Sequence, residues 1–131
     1  MNPTIRVVAA VIERDGRYLV TQRRPSAVLP LLWEFPGGRV EGTESDEEAL
    51  KREVLHRVGV EIKPGSQINT VSHTYEHYTV ELHLYECRVT HGEPRAVAVH
   101  QFRWVESKDF EELPFTPADE ASMSKLLGMT Q

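Results

Sequence analysis

Hydrophobic positions open the chain in a strand-like run and later switch to a helical period. Ile5–Glu13 is a β-branched run that predicts a strand, and Asp15-Gly16 is a hairpin turn signal. Arg17–Arg24, with Tyr18, Leu19 and Val20, predicts the partner strand. Pro25–Pro30 reads as a loop, and Leu31–Phe35 as a short apolar segment closed by Pro36-Gly37-Gly38. In Ser45–Val58, Leu50, Val54 and Val58 recur at four-residue spacing, which predicts a helix with one buried stripe. Thr43 or Ser45 can cap it, Asp46, Glu47 and Glu48 crowd its first turn, and Gly59 marks its stop. Ser66–Ser72 and Tyr75–Thr90 return to strand patterning, the second alternating around Tyr78, Val80, Leu82 and Leu84. Gln101–Val105 predicts a further strand around Trp104, and Pro117–Gly128 a closing helix. Strands and helices mix without a βαβα rhythm, so a mixed sheet with helices packed on it is expected.

Composition narrows the class. With 131 residues, 40% apolar and 27% charged, the chain reads as one ordinary globular domain spanning 1–131, without a linker or repeat. The longest apolar run, Val7–Ile12, is far short of the roughly 18 residues of a membrane span. Met1-Asn2-Pro3-Thr4 lacks the pattern of a secretory signal, and the lone Cys87 has no internal disulfide partner, so a cytoplasmic setting is expected. A net charge of −5 without a basic block argues against a surface that tracks duplex DNA or RNA. It leaves open a small anionic ligand in a locally positive or metal-loaded cleft.

The chemistry concentrates in one segment. Gly37-Gly38 precedes a loop bearing Glu41 and Glu44, which leads into the helix carrying Arg52-Glu53. Glycines let a ligand approach the backbone, and clustered carboxylates at a loop–helix junction can hold Mg²⁺ for a phosphate-bearing substrate. The same acidic residues also suit a plain helix start, where they oppose the helix dipole.

Gly38, Glu44, Arg52, Glu53, Val54, Gly59 and Val60 fall in order on a pattern that resembles the Nudix box. Leu32-Trp33-Glu34-Phe35-Pro36-Gly37-Gly38 resembles the approach to that box in the MutT-like branch. Trp104-Val105 and Pro114-Phe115-Thr116-Pro117-Ala118-Asp119 extend the resemblance over nearly the whole chain. It implies a Nudix fold, a mixed α/β (α+β) architecture with a central mixed β-sheet sandwiched between helices. It also implies a MutT-like or CTP pyrophosphohydrolase-like nucleotide hydrolase. Such an enzyme cleaves a nucleoside triphosphate to monophosphate and pyrophosphate with Mg²⁺, with oxidised dGTP or a cytidine nucleotide as the substrate type. Glu44, Arg52 and Glu53 are the catalytic residues carried over, with Glu53 and Gly38 at metal positions and Arg52 as an ion-pair partner that orients a glutamate.

The departures lie where the family places its paired metal-binding glutamates. His56 and Arg57 stand there, and Ala98 occupies the place of a third acidic residue, in a stretch, Ala96-Val97-Ala98-Val99, without a carboxylate. Glu53, His56 and Arg57 are three and four residues apart and share a helical face, so Arg57 can pair with Glu53. Arginine is neither a metal ligand nor a base, and a fixed cation weakens binding of a second cation. Mg²⁺ binding is therefore expected to be weak and hydrolysis severely impaired. Arg57 can contact a diphosphate directly; Glu53 with His56 can form part of a transition-metal site; or the pair can be a solvated helix face.

On the substrate side, Asp119 falls where the resemblance places a base-contacting residue, and capping of the last helix is its alternative role. Arg23 falls at a substrate-contact position, with a surface charge as the alternative. Phe35 can stack on a base or sit in the core, and Gly37 and Gly38 allow close backbone approach. His73, His77, His83 and Tyr75 form no familiar metal spacing and read as sheet-face residues. The expected partner is a nucleotide, with no duplex nucleic acid and no membrane. An active Mg²⁺-dependent pyrophosphohydrolase using other acidic residues and a non-catalytic interaction domain remain as alternatives.

Overall fold

In the computed structural model, which describes residues 3–129, strand β1 (Thr4–Arg14) turns at Asp15-Gly16 into β2 (Arg17–Gln22). Both turn residues have positive φ, 53° and 78°, the conformation a tight two-residue hairpin requires. Met1 and Asn2, from which the absence of a signal pattern was read, lie outside the described residues.

Short strands β3 (Trp33–Glu34) and β4 (Gly37–Arg39) follow, then α1 (Asp46–Val58), β5 (Glu61–Thr74), β6 (Thr79–His91), β7 (Gln101–Val105), a 3₁₀ turn (Ser107–Glu112) and α2 (Pro117–Met129). The sheet is mixed, in the order β3-β2-β1-β6-β5, with β4 added to β1 and β7 to β2. β1 and β6 are parallel from Thr4/Thr79 to Ile12/Cys87, and the remaining pairs are antiparallel.

The two faces of β1 separate two cores, as period-2 side-chain alternation dictates. Val8, Ala10 and Ile12 pack with Leu50, Val54 and Val58 of α1. Ala9 and Val11 pack on the other side with Trp33, Phe35, Phe110, Phe115 and Met123. Helix α1 starts at a capping box in which the Ser45 hydroxyl accepts from the Glu48 N–H and the Glu48 carboxylate accepts from the Ser45 N–H. It stops at Gly59, whose left-handed backbone (φ 73°) donates to the Leu55 carbonyl.

Several boundaries differ from the sequence expectation. Gly37-Gly38 is not a closing turn but part of β4, pressed on β1 in register with Ala9 and Val8. Its backbone comes so close that a Cβ on Gly37 would overlap the Val8 carbonyl. β5 runs from Glu61, well before Ser66, because irregular pairing between Pro64 and Gln67 absorbs the strand-breaking Pro64-Gly65. β2 ends at Gln22, so Arg23 and Arg24 lie in the loop, and β6 begins at Thr79. Residues 75–78 form the β5–β6 turn, closed by the Tyr75 N–H donating to the Tyr78 carbonyl.

Candidate active site

β2 pairs with β1 only near the hairpin, at Glu13/Tyr18 and Arg14/Arg17, and β4 takes its place farther along β1. Beside this divergence lies a cleft of about 390 Å³. Its walls come from β1, β4, the end of α1, the β5–β6 turn, the loop after β2 and the start of α2. Of the sequence-predicted substrate residues, Arg23, Phe35, Gly37, Gly38, Arg57 and Asp119 all line it.

The carboxylate of Glu53 sits on the buried stripe of α1, with the residue only 7% exposed, and arginines satisfy both of its oxygens. Arg52 donates from Nη1 to Oε1 at 2.6 Å, and Arg57 donates from Nε to Oε2 at 2.9 Å. Arg52 also forks onto Glu44 through Nε (2.7 Å) and Nη2 (2.9 Å), and Nη2 reaches the Arg39 carbonyl at 2.9 Å. This fork holds the Glu44 carboxyl down at about 2. Gly38 faces the same carboxylate so closely that a Cβ there would overlap Glu53. Arg57 in turn anchors the loop before β7, because its carbonyl accepts from the N–H groups of Val97 and Ala98.

These donors do not fit a Mg²⁺ site. Mg²⁺ needs carboxylate oxygens at short, near-octahedral distances, whereas each Glu53 oxygen already accepts from a guanidinium, and the charge of Arg52 and Arg57 opposes a second cation there. His56 is not brought to the cleft: it is exposed and makes no hydrogen bond or ion pair among the described residues. The transition-metal pairing of Glu53 with His56 therefore meets the same obstacle. Among the described residues no three His, Cys, Asp or Glu side chains group in a way that could hold an ion.

The other wall is acidic and aromatic. Arg23 donates from Nη1 to both oxygens of Glu34 at 3.2 Å, and from Nε to the Val28 carbonyl at 2.6 Å. Its guanidinium thus fixes a cleft carboxylate and the loop after β2 together, rather than standing as a surface charge. Burial raises the Glu34 carboxyl, against the lowering pull of Arg23 and Arg57.

Asp119 lies in the first turn of α2, which Thr116 caps, and it also lines the cleft. Its Oδ2 accepts from the Thr116 hydroxyl at 2.5 Å, and its N–H donates to Thr116 Oγ1, an N-terminal cap on α2. Its Oδ1 accepts from the Phe35 N–H at 3.0 Å, which places the carboxyl in the cleft wall. Burial, and then the neighbouring Glu34, push this carboxyl up to about 7. Phe35 is corrected as a stacking platform: it is 2% exposed, its ring set edge-on against Phe110 and tilted against Phe115.

Sequence reasoning missed three cleft residues. Glu34 sat unremarked within the Trp33–Phe35 run, and a carboxylate between two buried aromatics was the signal to notice. Tyr75 and Tyr78, read as strand residues, instead stack at 5.1 Å and 27° in the β5–β6 turn and line the cleft. The Tyr75 hydroxyl accepts from the Ala118 N–H at the start of α2.

The chain and its fold have counterparts among known proteins. The NUDIX domain model matches residues 7–125. The CTP pyrophosphohydrolase of Escherichia coli is 35% identical over 115 residues, covering 88% of this chain and 85% of that protein. A putative 8-oxo-dGTP diphosphatase 2 of Mycobacterium tuberculosis is 31% identical over 121 residues, covering 92% and 86%. The solution structure of the E. coli ORF135 protein superimposes with a TM-score of 0.84 at 31% identity, covering 98% of this chain and 92% of that one. By fold, by box spacing and by these relatives, the chain belongs to the Nudix family, on its MutT-like branch.

Proposed function

We propose that this Nudix domain binds a nucleoside polyphosphate and that its metal-dependent hydrolysis is severely impaired. One observation carries the reading: the Glu53 carboxylate, the metal ligand retained in the box, has both oxygens taken by Arg52 and Arg57. Arginine cannot ionise a water or ligate an ion, so the chemistry that needs an activated water loses its centre. Binding is supported by what remains. Arg57 offers donors to phosphate oxygens, and it lines the same cleft as the Gly37-Gly38 backbone.

The base end of the ligand meets Asp119 and Glu34, with Tyr75 and Tyr78 as flat apolar surfaces. A neutral carboxylic acid both donates and accepts, which suits the amino and ring-nitrogen edge of cytosine or the altered edge of an oxidised guanine. The names of the relatives point to the same two bases, and the lone buried Cys87 fits a cytoplasmic setting. The test is pyrophosphate release from CTP, 5-methyl-dCTP and 8-oxo-dGTP with Mg²⁺, with Mn²⁺ and without metal. Rates equal to those of Glu53→Gln support the reading, and metal-dependent turnover that Glu53→Gln abolishes overturns it.

A further inference from the structure

The cleft supplies its own cations. Arg57 spends only Nε on Glu53, and its two terminal nitrogens make no hydrogen bond among the described residues although the side chain lines the cleft. Arg39 lines the same wall, its backbone carbonyl fixed by Arg52 and its guanidinium without a partner among the described residues. Arg23 is the third guanidinium, held on Glu34 and the Val28 carbonyl.

Each nearby carboxylate, by contrast, already has a partner within the chain. Glu53 is taken by Arg52 and Arg57, Glu44 by Arg52, Glu34 by Arg23, and Asp119 by the Phe35 N–H and the Thr116 hydroxyl. The loop that docks on the Arg57 carbonyl, pinned again by Arg24 Nη2 on the Val97 carbonyl at 2.9 Å, brings no carboxylate to replace them. A Mg²⁺ ion arriving with its nucleotide would meet fixed positive charge and carboxylates already paired with arginines. Chelation by Mg²⁺ also cancels part of the phosphate charge that guanidinium groups attract.

Given a nucleotide in the cleft, as proposed above, we infer that it is bound as the metal-free anion, with the Arg57 guanidinium as the resident cation at the Glu53 carboxylate. Mg²⁺ then competes with the protein for the phosphates instead of bridging the two. A guanidinium presents directional N–H donors to phosphate oxygens without any reordering of Glu53, so the ion pair already formed serves as the seat for the ligand.

Calorimetric titration of the full chain with CTP, repeated with inorganic triphosphate, in EDTA and in excess Mg²⁺, tests this. Both probes are expected to bind more tightly in EDTA, by roughly tenfold or more. Arg57→Ala loses most of that affinity, Arg57→Lys keeps part of it, and His56→Glu with Arg57→Glu reverses the order so that Mg²⁺ strengthens binding. Tighter binding of CTP to the wild type in Mg²⁺ overturns the metal-free assignment and leaves nucleotide binding standing. Unchanged affinity of Arg57→Ala in EDTA overturns it equally. Failure of both probes to bind the wild type in either buffer removes the nucleotide reading and the inference together.

Discussion

Arg57, which lines the cleft, lies one helical turn beyond Glu53 and donates through Nε to Glu53 Oε2 at 2.9 Å. The pair is an i,i+4 contact on the inner side of α1, with the two side chains 26% and 9% exposed. An exposed pair at this spacing adds only about 0.3–0.5 kcal/mol. Here the partly buried setting and the second arginine on Oε1 make the arrangement a fixed feature of the cleft and not a passing surface contact.

The Arg23–Glu34 pair predicts a pH-dependent stability defect. Both side chains are mostly enclosed, at 22% and 16% exposure, so Arg23→Ala leaves a carboxylate in the cleft wall without its counter-charge. A loss of about 2 kcal/mol at neutral pH is expected, below the full penalty for a buried broken pair because some solvent reaches both groups. The loss narrows as pH falls and Glu34 takes up a proton. Adding Glu34→Gln recovers part of it at neutral pH, and what persists reflects the lost anchor on Val28. Urea unfolding of the single and double variants across pH measures each part.

Asp119 predicts the opposite slope from an ordinary carboxylate. Its folded value of about 7 lies above the usual 3.8, so folding favours the protonated acid. The stability this supports is fully present below the usual value and is lost as pH rises through about 7. Asp119→Asn removes the titrating group, so its melting temperature should fall less than that of the wild type between pH 5 and about 8. Parallel melting curves for the two proteins over that range would contradict the assignment.

The legible part of this molecule was local. The Asp15-Gly16 hairpin, the Ser45 cap, the stop at Gly59 and the box spacing each depend on residues close in sequence, and the structure contains all of them. The cleft is not local. Glu34 faces Asp119 because the segment around Phe115 lies beside β3, joined by the Trp33 N–H to the Pro114 carbonyl and the Thr116 N–H to the Trp33 carbonyl. Tyr75 enters because a turn, invisible in the alternation of Tyr75–Thr90, interrupts the strand pattern there. β4 was hidden for another reason: Gly37 and Gly38 carry no side-chain periodicity to read.

The stacked tyrosines predict a separation of base binding from phosphate binding. Tyr78→Ala removes one face of the pair, whereas Tyr75 also ties the turn to α2 through Ala118 and is the riskier substitution for folding. Loss of a stacking surface should weaken CTP binding by about 1 kcal/mol, roughly fivefold, and leave inorganic triphosphate unaffected. Equal weakening of both ligands would show that the turn acts on the cleft as a whole.

The most direct measurement compares Mg²⁺-dependent pyrophosphate release by the wild type, Glu53→Gln, and the double variant His56→Glu with Arg57→Glu. With Arg57 closing Glu53, the wild type should match Glu53→Gln, and the double variant should gain turnover with Mg²⁺. Turnover by the wild type that rises with Mg²⁺ and disappears in Glu53→Gln would mean that Glu53 is free to bind metal in solution, and the account built on the Arg57–Glu53 pair would be wrong.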